Sequence, residues 1–262
     1  MLSSDSRAAV AGVDAVAVKP SEHDLARVPD VHGAVGSVVV DYEGREHLPS
    51  FGLLADLAAD RGVRVTTPVR ADGFDPLGDD SLARELPDAV GRVFVAGHGA
   101  YLSEREAGRA IAPRLGAATA AHEDAWVGTE GVERTALATG ATQFELLSRT
   151  TETDVRAMRA AGFEGDVAVY APTVLSGDED EILDAVGEYT ARRGPVRRAL
   201  PEGAETDAAA TGRAREVLSK AVRDFALVGD RETVAGRVDA LREAGVDHVV
   251  AYPAAGLDAF LD

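Results

Sequence analysis

The chain has 262 residues, 45% of them hydrophobic, enough to fill one continuous core within a single domain. Its 45 acidic residues against 27 Lys plus Arg give a formal charge of −18, which argues against nucleic acid as a partner, because binding phosphates needs clustered basic side chains. No cysteine is present, so disulfides, thiolate metal sites and cysteine nucleophiles are excluded together.

Short Val-rich runs alternate with helix-period segments along the chain. The runs read as strands at Asp14–Val18, Ser37–Asp41, Val63–Thr67, Arg92–Ala96, Ala125–Gly128, Gln143–Leu147, Asp166–Tyr170 and His248–Tyr252. Several are apolar on successive residues, as in Ser37-Val-Val-Val-Asp41, the pattern of a strand covered on both faces. Helices are expected at Phe51–Arg61, Glu104–Leu115, Val132–Thr139, Glu152–Ala161, Asp180–Arg192 and Arg213–Asp224. Gly62, Gly162 and Gly245 each follow a helical stretch and precede an apolar residue, so each is expected to end its helix in the left-handed conformation.

Eight such alternations with short connections predict a parallel sheet closed into a (β/α)8 TIM barrel, with room for a reduced last helix. The alternative is an open, doubly wound sheet. Residues 1–262 form one domain in this reading. The stretch 194–212, with Pro195, Pro201, Gly203 and a run of small and acidic residues, reads as a mobile loop or insertion.

The acids are spread along the periodic segments, and Lys19 and Lys220 are the only lysines. That balance resembles proteins of salt-accumulating haloarchaea, in which salt screens a self-repelling surface. Met1–Val18 carries no signal pattern and no apolar run reaches bilayer length, so a cytoplasmic location without membrane contact is expected.

In a parallel barrel the chemistry sits at the carboxyl ends of the strands. The polar residues there include Lys19, Ser21, Asp41, Tyr42, Glu43, Thr66, Thr67, Arg70, His98, Thr129, Glu130, Tyr170, Thr173 and Tyr252. Lys19 directly follows a strand, where an amine can form a Schiff base or hold an anion; an ordinary surface lysine before Pro20 fits equally well. His98 sits between two glycines at a strand end, the place for a general acid or base or for a structural, hydrogen-bonded ring. Asp41 completes the candidate catalytic set with His98 and Lys19. The six histidines show no metal-binding spacing, so no metal is expected. Trp126-Val-Gly-Thr-Glu-Gly-Val-Glu-Arg134 runs from a strand into a helix start, where free amides can hold a phosphate, although Glu130 and Glu133 bring negative charge to the same turn.

Two stretches, Gly128–Leu147 with Val167-Ala-Val-Tyr-Ala-Pro-Thr173, and Leu227-Val-Gly-Asp-Arg-Glu-Thr-Val-Ala235 with Leu241-Arg-Glu-Ala-Gly-Val-Asp-His-Val-Val250, carry a family pattern. They resemble the luciferase-like family of flavin- and deazaflavin-dependent barrel oxidoreductases, in particular its methylenetetrahydromethanopterin reductase branch. The resemblance covers about a third of the chain and leaves the amino-terminal half unmatched; Glu130 also departs from the family loop. It implies a deazaflavin coenzyme or FMN at the carboxyl ends of the strands, a small-molecule substrate, and hydride transfer. It also implies phosphate contacts at Gly128, Thr129 and Gly131; Arg70 and Thr67 complete the expected cofactor-binding set, and a homo-oligomer is compatible with it. Two other functions stay open: a cofactor-free lyase or aldolase using Lys19, and a non-catalytic barrel subunit.

Overall fold

A computed structural model describes residues 10–23, 25–28, 35–71, 73–74, 81–97 and 102–260. Among them are nine strands: β1 Ala15–Val18, β2 Ser37–Val40, β3 Gly62–Pro68, β4 Gly91–Val95, β5 Trp126–Gly128, β6 Thr142–Leu146, β7 Val167–Val174, β8 Leu227–Val228 and β9 His248–Pro253. Every pairing between them is parallel. β1 to β7 pair in succession, β7 pairs with β9, and β9 pairs with β1, so eight strands close the expected (β/α)8 barrel.

The helices are α1 Phe51–Asp60, α2 Ser81–Glu85, α3 Glu104–Ala107, α4 Ile111–Ala121, α5 Glu133–Ala138, α6 Thr151–Ala160, α7 Glu179–Ala191, α8 Gly194–Ala199, α9 Gly212–Phe225 and α10 Arg231–Glu243. The single helix expected over Glu104–Leu115 is two. Gly108 ends α3, and Pro113 falls in the first turn of α4, where a missing amide hydrogen costs nothing. Gly162 (φ +87°) and Gly245 (φ +106°) do end their helices in the left-handed conformation. Gly62 does not: α1 ends on an extended Arg61, and Gly62 already belongs to β3.

Side chains of the strands alternate between lumen and outer layer. The outer faces, Val16, Val18, Val38, Val40, Val63, Val65 and their like, pack under the helices as one large core. The lumen mixes small and aromatic residues: Ala15, Ala17 and Ala168 leave space for Trp126, Phe144 and Tyr170. Small side chains opposite large ones let the rings cross the narrow interior and fill it.

Between β7 and β8 the chain makes an excursion, residues 175–226, holding α7, α8 and α9. It leaves the carboxyl end of β7 and comes back to it, because β8 pairs with that end alone, Leu227 against Thr173 and Val228 against Val174. The excursion has a core of its own, including Ile182, Leu183, Val186, Leu218 and Val222. The stretch 194–212 is the middle of it. There the Ala208 amide donates to Asp184 Oδ1 at 2.9 Å. The backbone also approaches α7 so closely that a Cβ on Gly187 would lie 2.0 Å from the Thr206 carbonyl oxygen. The return crossover is α10, capped by Asp230, and after β9 the described chain holds a single turn of 3-10 helix, Asp258–Phe260.

Candidate functional site

Residues at the carboxyl mouth of the barrel form one connected polar cluster. Asp41 follows β2 and continues its inward set after Val39. Tyr170, from β7 on the other side of the lumen, donates its hydroxyl to Asp41 Oδ2 at 3.0 Å. The Tyr252 ring stacks on Tyr170, with centroids 6.1 Å apart and planes 14° from parallel, and its hydroxyl donates to Glu22 Oε2. Lys19 places Nζ 4.6 Å from the Tyr252 ring centroid and 3.1 Å from Glu22 Oε1. Ser21 turns its amide and hydroxyl to Glu43 Oε2, at 3.0 and 2.7 Å. Thr66 accepts the Tyr42 amide at 2.7 Å.

The loop that carries Lys19, Ser21 and Glu22 is held by a buried histidine. His23 Nδ1 accepts the Lys19 amide at 3.0 Å, and Nε2 lies 3.3 Å from the Pro253 carbonyl oxygen. A ring that accepts at Nδ1 donates at Nε2, so the two contacts select one tautomer and tie the β1 loop to the end of β9.

Burial pushes the Asp41 carboxyl up to about 6, against the Tyr170 hydrogen bond and the Lys19 charge, which lower it; Glu43 and Glu22 add to the rise. Burial, with the Asp41 charge beside it, also raises Tyr170 well above the ordinary phenol range. Burial likewise opposes ionisation of Glu22, but the hydrogen bonds from Tyr252 and Lys19 outweigh it and hold its carboxyl low. The mouth therefore pairs a carboxyl that exchanges a proton near neutral pH with a carboxylate that stays ionised. Two neighbouring acids are thus pushed in opposite directions.

The expected residues divide on this geometry. Lys19 and Asp41 meet at the mouth, but the Lys19 amine is engaged by a carboxylate and a ring face, contacts suited to an ammonium rather than to a free nucleophile. His98 lies outside the described residues. Thr67 is fully buried, pairs with the outward Phe94, and gives its hydroxyl to the Val65 carbonyl at 3.1 Å; Thr66 is the inward residue of that strand. Arg70 gives its guanidinium to the carbonyls of Ala96, Gly97 and Ala107, at 2.6, 2.8 and 3.0 Å, and so ties the end of β4 to α3.

Gly128 faces the lumen, where a Cβ would lie 2.9 Å from Val95 Cγ1. Thr129 turns back, with its amide at 3.0 Å and its hydroxyl at 3.4 Å from the Phe144 carbonyl. Gly131 (φ +72°) donates its amide to Glu133 Oε1 at 3.1 Å, and Glu130 lies 3.6 Å from Arg193 of the excursion. Tyr170 and Tyr252 appear among the strand-end polar residues of the sequence, but nothing there joins either to Asp41. Glu22 and His23 carry no sequence signal, since their roles depend on β9 closing against β1.

At the opposite end a shallow groove is lined by Gly62, Arg64, Gly91, His122 and Asp124, among others. The Arg64 guanidinium lies 4.3 Å from the Trp126 ring, and the His248 ring stacks on Trp126 at 5.3 Å. This is the amino end of the strands, the face that serves stability in such barrels. Among the described residues no group of three or more His, Asp and Glu could hold a metal ion, and no helix is long and apolar enough to cross a membrane.

Fold and site together define a parallel (β/α)8 barrel with an acid–base cluster at its carboxyl mouth. Over residues 8–260 the chain matches a family described as a family of unknown function (DUF7388), and it belongs to that family. No curated protein matches it. Among solved structures it is similar to an F420-dependent secondary alcohol dehydrogenase in complex with an F420-acetone adduct. The TM-score is 0.61 at 11% identity, covering 95% of this chain and 96% of that one, which shows a shared fold. It is also similar to the monooxygenase RslO1 from Streptomyces bottropensis, at a TM-score of 0.49 and 16% identity over 92% of each chain.

Proposed function

We propose that this protein is an oxidoreductase of the luciferase-like barrel kind, acting on a small molecule at the carboxyl mouth, with Asp41 exchanging the proton. The observation that carries this reading is the Asp41–Tyr170 hydrogen bond inside the lumen. A carboxyl raised to about 6 can take a proton from a substrate hydroxyl and return it. Tyr170 fixes the orientation of that carboxyl, and Tyr252 backs the Tyr170 ring.

The sequence resemblance and the likeness to an alcohol dehydrogenase favour a deazaflavin or a flavin as redox partner, which when bound would supply or accept a hydride. Val95, Leu146 and Tyr252 are partly buried at the mouth, and the ring half of such a cofactor would lie against their apolar surface. The phosphate half fits the loop Gly128–Gly131 poorly, because the Thr129 and Gly131 donors are spent on the protein and carboxylates stand beside them. Titrating the protein in molar KCl with a deazaflavin and with flavins, read by quenching of ring fluorescence, tests the proposal. Saturable binding is expected. Failure of every ring to bind overturns it.

A further inference from the structure

We infer that Glu133 and Glu130 are specificity-determining residues that close the loop after β5 to phosphate groups, so that the mouth takes a ring or small molecule without a phosphate at this position. The inference rests on the carboxyl mouth being the ligand site, as proposed above. Strand β5 delivers the chain to a turn whose amides could cradle an anion, but three of them, those of Thr129, Gly131 and Val132, are already committed. Thr129 donates to Phe144 O at 3.0 Å and Val132 to Thr129 O at 2.9 Å. The Gly131 amide, set by its positive φ, meets Glu133 Oε1 at 3.1 Å. The Thr129 hydroxyl also points to Phe144 O, at 3.4 Å.

Glu133 thus supplies from within the chain the anion that a phosphate would bring from outside. A carboxylate in that place repels a second anion and must leave before the amide is free. Glu130 adds another negative charge, and it faces Arg193, a nearby cation of the excursion, at 3.6 Å. A phosphate arriving here would meet the Glu133 carboxylate and the Glu130–Arg193 pair, one net negative charge in all. Helix α5, with only six residues, adds little dipole to offset it.

FMN and riboflavin share one ring and differ by a phosphate, so their affinity ratio reads the loop. In the full-length protein in molar KCl, riboflavin is expected to bind within about twofold of FMN, and Glu130→Gln/Glu133→Gln is expected to shift the ratio toward FMN by about tenfold. Wild-type protein binding FMN more than about tenfold tighter than riboflavin overturns the inference while leaving the proposed function standing. A second readout needs no ring: the Gly131 amide resonance followed during addition of inorganic phosphate. It should stay in place in the wild type and move in the double variant. Movement in the wild type, or none in the double variant, overturns the inference. If neither flavin nor a deazaflavin binds but the Gly131 resonance behaves as expected, the oxidoreductase reading fails and the assignment of Glu130 and Glu133 holds.

Discussion

Tyr170 reaches from β7 across the lumen to Asp41 beyond β2 and donates a hydrogen bond of 3.0 Å to its carboxylate. Two strands that are not neighbours are thereby joined inside the barrel, at the end where chemistry sits in this architecture. The pair gives Asp41 both its orientation and much of its electrostatic setting: the hydroxyl favours the ionised carboxylate, while burial disfavours it more strongly.

Asp41→Asn is expected to stabilise the fold above pH 6. In the folded protein the carboxyl is raised from 3.8 to about 6. Its contribution to stability is therefore fully present below the unfolded value and is lost as pH rises through about 6. A neutral amide escapes that loss, so the gain should grow to about 3 kcal/mol at pH 8 and vanish below about pH 4. Denaturant unfolding in molar KCl across that range checks it. The same substitution should lower turnover by about a hundredfold or more, the usual contribution of a positioned acid or base.

Tyr170→Phe removes the donor that lowers the Asp41 carboxyl, while the flanking charges of Lys19, Glu43 and Glu22 remain. The midpoint of Asp41 should rise further above 6, and the acidic limb of any pH–activity profile should move with it by up to about one pH unit. The fold should lose about 1 kcal/mol, the net value of one hydrogen bond. An unmoved pH profile would separate Asp41 from the proton step.

The barrel was readable in the sequence because doubly covered strands appear as apolar runs, and eight of them fall within a few residues of their expected places. That same feature hid the orientation of side chains. A strand apolar on both faces shows no alternation, so nothing in Val63–Thr67 tells Thr66, which faces the lumen, from Thr67, which faces the helices. The excursion was only partly visible. Helix α7 reads as an ordinary crossover helix, and it is the pairing of Leu227 back onto Thr173 that makes everything between them an insertion. Asp41 was found by its position at a strand end. Its partners were not, since Tyr170 lies 129 residues away and the Tyr252–Glu22 contact spans 230.

Gly187→Ala should loosen the excursion without opening the barrel. Any Cβ at this position falls 2.0 Å from the Thr206 carbonyl oxygen, so α7 must withdraw from residues 206–207. A cost of about 1–3 kcal/mol is expected for such overpacking. Hydrogen exchange should show faster opening of amides in 200–211, including Ala208, with β1 to β6 unchanged.

Salt should stabilise the protein. A formal charge of −18 leaves net repulsion on the surface, and exposed ion pairs such as Arg192–Glu188 contribute too little to offset it. The melting temperature is expected to rise steadily from 0.1 to about 2 M KCl as the Debye length falls from about 10 Å to a few ångströms. A flat or falling curve would remove the halophilic reading.

The most direct test of the mouth as a proton-handling site is the 13Cγ resonance of Asp41, followed against pH in molar KCl and assigned with Asp41→Asn. A midpoint near 6 that moves upward in Tyr170→Phe is the predicted result. A midpoint at the ordinary carboxylate value of about 4, unchanged by loss of the Tyr170 hydroxyl, would contradict the account.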